Sequence, residues 1–324
     1  MTKKEAWIQF EQEHKKWIEE KKEEFLEKMQ ESVLEISNIF QQLLKQSREE
    51  LEKREKEAIM YCYISLLRSG LFENEYSLLL QWFDQQWYLD KEPVLIEGNL
   101  NFLFEDISQM KEKLLLDSKQ YLGKINCYDI EYLFQDMVME CNSYLAEQLR
   151  FLFRDIEENE DFKEIKKQEA WTIRYGEYRD QSEIIAHVDR TKKEQTEFKQ
   201  KIKNIQSGKE EQALVCTYWY DMELTDVICQ NIFMPFITFE QCTLRNVDFT
   251  NSMLKGARFL NCTLEQCVFE QGDLRQAEFR NCIWNETVFD GADVGYAIFM
   301  EQELPFAHLE AGQLQTILVE REEG

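Results

Sequence analysis

A large apolar residue recurs at every fifth position over the last third of the chain. The run alternates leucine and phenylalanine from Leu244 to Phe279 and continues through Trp284, Phe289, Val294, Phe299, Leu304, Leu309 and Leu314. A small or compact residue, such as Ala257 or Cys262, lies two positions before most of them. A period of five fits neither an α-helix nor a β-strand. It predicts a repeat architecture.

A five-residue period has a simple physical interpretation. Two side chains in each five, one large and one small, point inward, and the other three face water. Four such walls close a turn of twenty residues, so residues twenty apart should stack. They form nearly pure columns: Leu224, Leu244, Leu264, Trp284 and Leu304; Phe249, Phe269 and Phe289; Leu254, Leu274, Val294 and Leu314; Phe239, Phe259, Phe279 and Phe299. Stacked strands about 4.8 Å apart would place like residues over like.

The segment resembles the pentapeptide-repeat family, whose signature is Ala-(Asp/Asn)-Leu-x-x. The best matches to that signature are Gly291-Ala292-Asp293-Val294 and Gly256-Ala257-Arg258-Phe259. The resemblance implies a right-handed quadrilateral β-helix and says little about function, because packing defines the family. Trp284 in a leucine column and Gln302 at a small inward position depart from the pattern.

The first two thirds of the chain show helical spacing instead. Apolar residues from Thr2 to about Arg68 follow three- and four-residue steps, which predicts one or two long amphipathic helices. A further helix is predicted to carry Trp82, Phe83, Trp87 and Tyr88, and others to occupy Gly98 to Leu116, Tyr128 to Asp155 and Phe162 to Ile205. The charged stretch Lys45 to Glu57 predicts an exposed helix or a protruding coiled-coil arm near 1–57. Because the heptads are imperfect, packing against the chain's own helices is favoured over self-association.

The predicted fold class is therefore α+β by domain. An all-α helical domain spans 1–212, and a β-helix with end caps spans 213–324. The polar segment Ser207 to Gln212 marks the boundary. Thr217 to Tyr220 is predicted to plug the open end of the coil, which would otherwise expose a sheet edge.

Charge and cysteine content narrow the function. The formal net charge of −25 disfavours direct nucleic acid binding. The charged first 24 residues resemble no signal peptide, and no apolar run is long enough for a membrane span, so we expect a cytoplasmic protein. Nine cysteines without C-x-x-C pairs predict reduced thiols. Cys242, Cys262 and Cys282 should form a buried ladder rather than a zinc site, because four ligands would have to converge around the metal.

No catalytic motif is present in the sequence. The three histidines, His14, His187 and His308, lie in unrelated contexts, and we expect all three to be exposed. The sequence contains no P-loop, nucleophile elbow or dinucleotide fingerprint. We predict a non-enzymatic protein with no cofactor and no metal.

Two candidate interaction surfaces follow from the sequence. Column sorting stacks Glu270, Asp290 and Glu310, with Asp273 and Asp293 around the same corner, into an acidic ridge. The aromatic helix contributes Trp82 and Trp87. The first hypothesis is a protein-protein interaction or scaffold protein of unknown partner. Homo-oligomerisation is also possible, and by lengthening the coil it would favour the DNA-mimic alternative described next.

Two alternatives remain open. One is a DNA mimic that binds a type II topoisomerase such as gyrase, as some members of the family do, to protect or inhibit it. Against it, about four and a half turns give a coil of only roughly 22 Å, and basic residues such as Arg275 interrupt the ridge. The other alternative is a bacterial effector or toxin-associated factor, since repeat modules joined to helical domains occur in such proteins.

Overall fold

The structure, a computed structural model, describes residues 1–71, 73 and 75–321. The chain folds into two compact units, Met1–Ala186 and His187–Gly324. This boundary differs from the one expected at residue 212, because the segment between the two positions includes a helix that packs on the repeat coil. The last three residues of the expected repeat domain, 322–324, lie outside the described residues.

Helices make up much of the N-terminal unit, as predicted. Thr2 caps the first helix in a capping box with Glu5, and Ser32 separates it from the second. The helices are α1 Lys3–Glu31, α2 Val33–Lys53, α3 Arg68–Leu71, α4 Asn101–Ser118, α5 Cys127–Leu152 and α6 Glu160–Glu164. Single 3₁₀ turns lie at Trp87–Leu89, Lys119–Tyr121 and Ile156–Glu158. The two helices predicted over 98–116 and 128–155 are confirmed within a few residues.

The predicted coiled-coil arm is absent from this unit. Helix α1 packs against α4 and α5, and α2 packs against α6 and a strand of the sheet. Ser47 and Leu51 lie in the charged stretch and are nevertheless buried. Arg48 pairs with Asp161, with 2.8 Å between Nε and Oδ1. The charges therefore line one side of a packed helix.

The expectation of an all-α domain was wrong, because the N-terminal unit contains a five-stranded sheet of order β3-β2-β1-β4-β5. The strands are β1 Ile59–Leu66, β2 Ser77–Phe83, β3 Val94–Asn99, β4 Lys167–Glu177 and β5 Ser182–Asp189. Strand β1 pairs antiparallel with β2 and parallel with β4. The predicted aromatic helix is β2 followed by the 3₁₀ turn, and the central part of the helix predicted over 162–205 is β4 and β5.

The repeat segment forms the predicted closed coil. Two walls are parallel sheets, one of six strands in the order β15-β14-β12-β10-β8-β6 and one of four in the order β13-β11-β9-β7. The strands are β6 Tyr218–Tyr220, β7 Glu223–Ile228, β8 Thr238–Glu240, β9 Thr243–Asp248, β10 Arg258–Leu260, β11 Thr263–Glu265, β12 Glu278–Arg280, β13 Ile283–Asn285, β14 Ile298–Met300 and β15 Leu318–Glu320. In each of the other two walls, isolated parallel bridges such as Val268↔Val288 and Asp273↔Asp293 link one turn of the coil to the next.

The register between turns is twenty residues, as the column sorting predicted. Leu264 pairs with Leu244 and Trp284, and Phe259 pairs with Phe239 and Phe279. The phenylalanine rings stack in the interior; Phe249 and Phe269, for example, lie 5.0 Å apart between centroids and 5° from parallel. Burial of these rings away from water holds the coil together.

The corners between walls have a backbone requirement that the sequence analysis did not identify. Every fifth residue from Asp221 to Tyr296 has a positive φ, with values between 47° and 68°. Asn, Asp, Gln and Gly occupy most of these positions, and Asn, Asp and Gly are the residues that tolerate the left-handed region best. At the Gly256 corner, an added Cβ would lie 2.5 Å from the ring of Phe236.

The two ends of the coil differ from the prediction. Tyr218–Tyr220 is the first strand of the six-stranded wall, with Trp219 in the phenylalanine column, rather than a plug. The cover is helix α7, Gln195–Gln206, whose Phe198 packs edge-on against Trp219 at 5.1 Å. At the other end a short helix, α8 Leu304–Ala307, and a 3₁₀ turn, Gln313–Gln315, follow β14.

The prediction that Leu314 ends the column of Leu254, Leu274 and Val294 was also wrong. Leu314 is 48% exposed, and Gln313 is buried in its place. The Gln313 amide donates to the carbonyls of Phe289 and Ala292, at 2.7 and 3.0 Å. A polar side chain therefore satisfies the last carbonyl groups of the interior, which leucine cannot do.

Candidate functional site

Of the two tryptophans predicted to form an interaction surface, one is in the core. Trp82 is fully buried, and its indole Nε1 donates to Ser47 Oγ of α2 at 2.9 Å. Because successive strand residues point to opposite faces, β2 directs Trp82 inward with Leu78 and Leu80. Trp82 therefore cannot contact a partner, and its inclusion in the surface was wrong.

Trp87 is 44% exposed and lies in a group of rings that we call the aromatic cluster: Tyr61, Tyr63, Phe83, Trp87 and Tyr88. The rings of Trp87 and Tyr88 are 4.7 Å apart between centroids. Trp87 also lies 5.9 Å from Tyr61, and Tyr88 lies 5.6 Å from Tyr63. Two strands and the β2–β3 loop thus build one aromatic surface on the sheet face opposite to Trp82.

A buried ion network shapes the loop that carries Trp87. Lys56 Nζ lies 2.7 Å from an oxygen of Asp90 and 3.5 Å from one of Asp84, and all three side chains are at most 10% exposed. Asp90 also accepts from the backbone N–H groups of Asp84 and Glu92. Burial opposes the ionisation of Asp90, but Lys56 and these two N–H groups hold its pKa below the usual value. Lys56 therefore holds the loop between β2 and β3 through Asp84 at its start and Asp90 near its end.

The loop places Trp87 in an unusual backbone conformation. Its φ is 55°, a left-handed value that bulky residues rarely adopt. The indole Nε1 donates to Tyr63 Oη at 3.0 Å, which fixes the ring against the sheet. Such strain persists only where the surroundings impose it, and it is frequent at ligand-binding sites.

Arginines flank the aromatic cluster on the β4 side. Arg174 is the register partner of Tyr63, and its Nε donates to Ser182 Oγ at 3.0 Å. Arg179 is exposed and lies over the ring of Tyr178 at 5.2 Å. Burial and the neighbouring Tyr63 raise the pKa of Tyr88, while the charges of Arg174 and Arg179 oppose that rise. Positive charge therefore reaches the exposed edge of the cluster.

The residues of the predicted acidic ridge are only partly brought together. Glu270 and Asp290 are exposed and occupy equivalent positions in adjacent turns, two residues after Val268 and Val288. Asp273 and Asp293 pair across the next wall. Glu310 lies beyond the last regular turn, where its backbone N–H donates to Gln313 Oε1.

Arginine reduces the charge of this ridge. Arg275 donates from Nε and Nη2 to the two oxygens of Asp273, at 2.9 and 2.7 Å. The same Nε lies 3.7 Å from Asp293. The hydrogen bond from Arg275, against the effect of burial, lowers the pKa of Asp273. Arg275 therefore offsets the charges of Asp273 and Asp293, whereas Glu270 and Asp290 form an exposed pair on adjacent turns.

The cysteine ladder has the predicted packing. Cys242, Cys262 and Cys282 are buried, and their thiols lie 3.3 Å from the carbonyls of Trp219, Phe239 and Phe259 respectively. Burial raises the pKa of the Cys262 and Cys282 thiols. Within the described part of the chain, no group of three or more His, Cys, Asp or Glu side chains is arranged to hold a metal ion.

Two histidines depart from the expectation of exposure, since His187 is only partly exposed and His14 is buried. His14 is buried between α1 and α4, with Nδ1 2.8 Å from the carbonyl of Phe10 and Nε2 3.0 Å from Asp117 Oδ2. Its ring also lies 4.2 Å from that of Phe10. His14 therefore links two helices of the core.

Comparison with known proteins bears on the repeat coil. The family profile described as "Pentapeptide repeats (8 copies)" matches residues 237–271. No curated protein matches the chain. Across the described residues, no helix is long and apolar enough to cross a membrane.

Solved structures of pentapeptide-repeat proteins align with part of the chain. A trypsin-treated form of QnrB1, a plasmid-mediated fluoroquinolone resistance protein, has 19% identity and a TM-score of 0.25, covering 28% of this chain and 51% of its own. The alr5209 protein of Nostoc PCC 7120 has 17% identity and a TM-score of 0.30, covering 37% of this chain and 93% of its own. HetL, from the same cyanobacterium and involved in heterocyst differentiation regulation, has 12% identity and a TM-score of 0.25, covering 31% of this chain and 50% of its own.

The alignment spans about half the length of the QnrB1 and HetL chains. At these identities and TM-scores the likeness supports no statement about activity. The family profile, the twenty-residue register and the five-residue corners agree with one another. The C-terminal part of this chain is a β-helix of the pentapeptide-repeat family.

Proposed function

We propose that this chain is a non-enzymatic protein-binding protein, and that the aromatic cluster of its N-terminal unit contacts the partner. The exposed loop with Trp87 and Tyr88 supports the proposal most strongly. These two rings are 44% and 50% exposed, although each is held by contacts to the sheet. Rigid aromatic side chains of this kind are enriched among the residues that dominate binding energy at protein interfaces.

The pentapeptide-repeat coil accords with this proposal. Its interior is filled by leucine, phenylalanine and small residues, so it would serve as a rigid rod that presents its outward side chains to a partner. All nine cysteines are free thiols, as suits a reducing compartment such as the cytoplasm.

Co-purification from the native cell tests the proposal. The tagged wild-type chain should retain a partner that the double variant Trp87→Ala, Tyr88→Ala loses, since truncating central aromatic residues removes the largest contributions to binding. The matched control is Tyr132→Ala, which removes a 70% exposed tyrosine from α5. Equal retention by the wild-type chain and the double variant would contradict the proposal, provided that circular dichroism shows both folded.

A second candidate function is binding to a type II topoisomerase by DNA mimicry. The exposed pair Glu270 and Asp290, stacked on adjacent turns, favours it. The ion pair of Arg275 with Asp273 weighs against it. If it is correct, purified gyrase binds the wild-type chain at low salt, and the double change Glu270→Lys, Asp290→Lys abolishes that binding. The Trp87→Ala, Tyr88→Ala variant should then bind gyrase as the wild type does.

A further inference from the structure

The aromatic cluster belongs to a larger open face of the N-terminal sheet. Strand register places Leu95, Gln81, Tyr63 and Arg174 in one row across β3, β2, β1 and β4. Leu95 is exposed, and the other three are partly exposed. The opposite face is covered by helices: Trp82 bonds to Ser47 of α2, and Tyr175 bonds to Asn142 of α5.

Arginine side chains lie beside the aromatic cluster on this face. Of the nearby carboxylates, Asp84 and Asp90 pair with Lys56 and Glu177 pairs with Arg68, whereas Glu92 of the loop and Glu97 of β3 are exposed. Arg174 is held by Ser182, a neutral partner, and Arg179 is exposed beside Tyr178. A chain of net charge −25 thus presents two guanidinium groups next to exposed aromatic rings.

Building on the protein-binding function proposed above, we propose that the aromatic cluster, with Arg174 and Arg179, binds an acidic peptide segment of the partner that carries an aromatic or branched aliphatic anchor. The rings of Trp87 and Tyr88 offer apolar area to the anchor. Exposed Arg179 offers paired N–H donors that match a carboxylate, and Arg174, whose Nε and Nη2 already donate to Ser182, adds positive charge. The loop is already fixed by Lys56 and by the Trp87–Tyr63 hydrogen bond, so little ordering entropy is lost on binding.

A random dodecapeptide display library, selected on the full-length protein, tests the partner class. The selected peptides should be enriched in Asp and Glu next to Trp, Phe, Leu or Ile. A synthetic peptide of the most enriched sequence should bind the wild-type chain more weakly as salt rises from about 50 mM to about 500 mM, because screening weakens exposed ion pairs. Replacing its acidic residues by lysine should abolish binding.

Variants locate the binding site. Trp87→Ala should weaken peptide binding by about tenfold or more, and Arg179→Glu should weaken it and flatten its salt dependence. The controls are Tyr132→Ala and Lys209→Glu; the latter changes net charge by the same amount at an exposed residue of the other unit. Both controls should bind as the wild type does.

The outcomes separate the two proposals. Selection of basic or uncharged peptides that still depend on Trp87 would overturn the acidic partner class and leave the protein-binding surface standing. Selection of no peptide, or of peptides that bind Trp87→Ala and the wild type equally, would overturn both. Tighter binding of single-stranded DNA than of the acidic peptide at the same surface would also overturn the acidic partner class.

Discussion

The interior of the coil can be tested at Phe279. This side chain is fully buried and lies between two rings of its own column. Phe259 is 4.9 Å away and 6° from parallel, and Phe299 is 4.8 Å away and 21° from parallel. Trp284 lies 5.2 Å from it across the coil. Phe279 therefore joins three successive turns.

The Phe279→Ala substitution removes this connection. Truncating a buried phenylalanine costs about 3–5 kcal/mol of unfolding free energy, because transfer energy is lost and a cavity remains. Each lost aromatic pair accounts for about 0.5–1.5 kcal/mol beyond area burial. With two stacked partners and further edge contacts, we expect a cost near the upper end of the range. Since each turn supports its neighbours, the loss should destabilise the whole coil.

Urea unfolding followed by circular dichroism and tryptophan fluorescence measures the change. The matched control is Phe306→Ala, which deletes the same atoms from a side chain that is 60% exposed. The control should change the unfolding free energy by less than about 1 kcal/mol. Equal destabilisation by the two substitutions would refute the assignment of inward and outward positions.

Three further predictions concern other parts of the chain. Lys56→Met should destabilise the N-terminal unit by about 3–5 kcal/mol, because it leaves two buried carboxylates unpaired. Since the pKa of Asp90 is lowered in the folded protein, that ion pair should stabilise fully above the unfolded pKa of about 3.9, and thermal melts should show the effect decline as pH falls through the folded pKa. A thiol reagent should react rapidly with exposed Cys127 and slowly with the eight buried thiols; fast reaction of a second thiol in the native protein would contradict the packing. Gly256→Val should lower the melting temperature of the coil, because φ is +68° there and the Phe236 ring occupies the space, whereas an unchanged melting temperature would contradict the corner geometry.

The coil was predictable because its signal is local and repeated. Each pentapeptide specifies its own wall, and like residues twenty apart pack directly over one another, so the columns of Phe259 and Leu264 follow from counting. The left-handed corners had a signal too, since Asn251, Asn261 and Gln271 recur at one position in every five. The predictions rested only on the inward-pointing residues and therefore did not include these corners. The interior ends where Gln313 replaces Leu314, because a coil end must satisfy backbone groups that the repeat does not leave open.

The sheet was less predictable because its pairings are distant in sequence. Strand β1 lies beside β4, so Tyr63 is next to Arg174 although the two are far apart in the chain. Strand β2 did show a period of two in Leu78, Leu80 and Trp82. This alternation indicates a strand, but the segment was interpreted as a helix because it is rich in aromatic residues.

The same error explains the mixed outcome for the aromatic surface. On a helix, Trp82 and Trp87 were expected to contribute to one surface. On a strand followed by a loop, Trp82 points to the helices, and Trp87 returns over the opposite face. The sequence therefore singled out Trp87 but not the loop that carries it, and the strand residues and arginines beside it could be found only from the fold.

The central claim is that the partner binds the aromatic cluster of the N-terminal unit, and hydrogen–deuterium exchange of the full chain, free and bound to its co-purified partner, tests it most directly. The claim predicts slower exchange in the bound state at residues 84–90 and 178–181, with the coil unchanged. Protection confined to residues 268–293, which include Glu270 and Asp290, would contradict it and favour recognition through the acidic side of the coil.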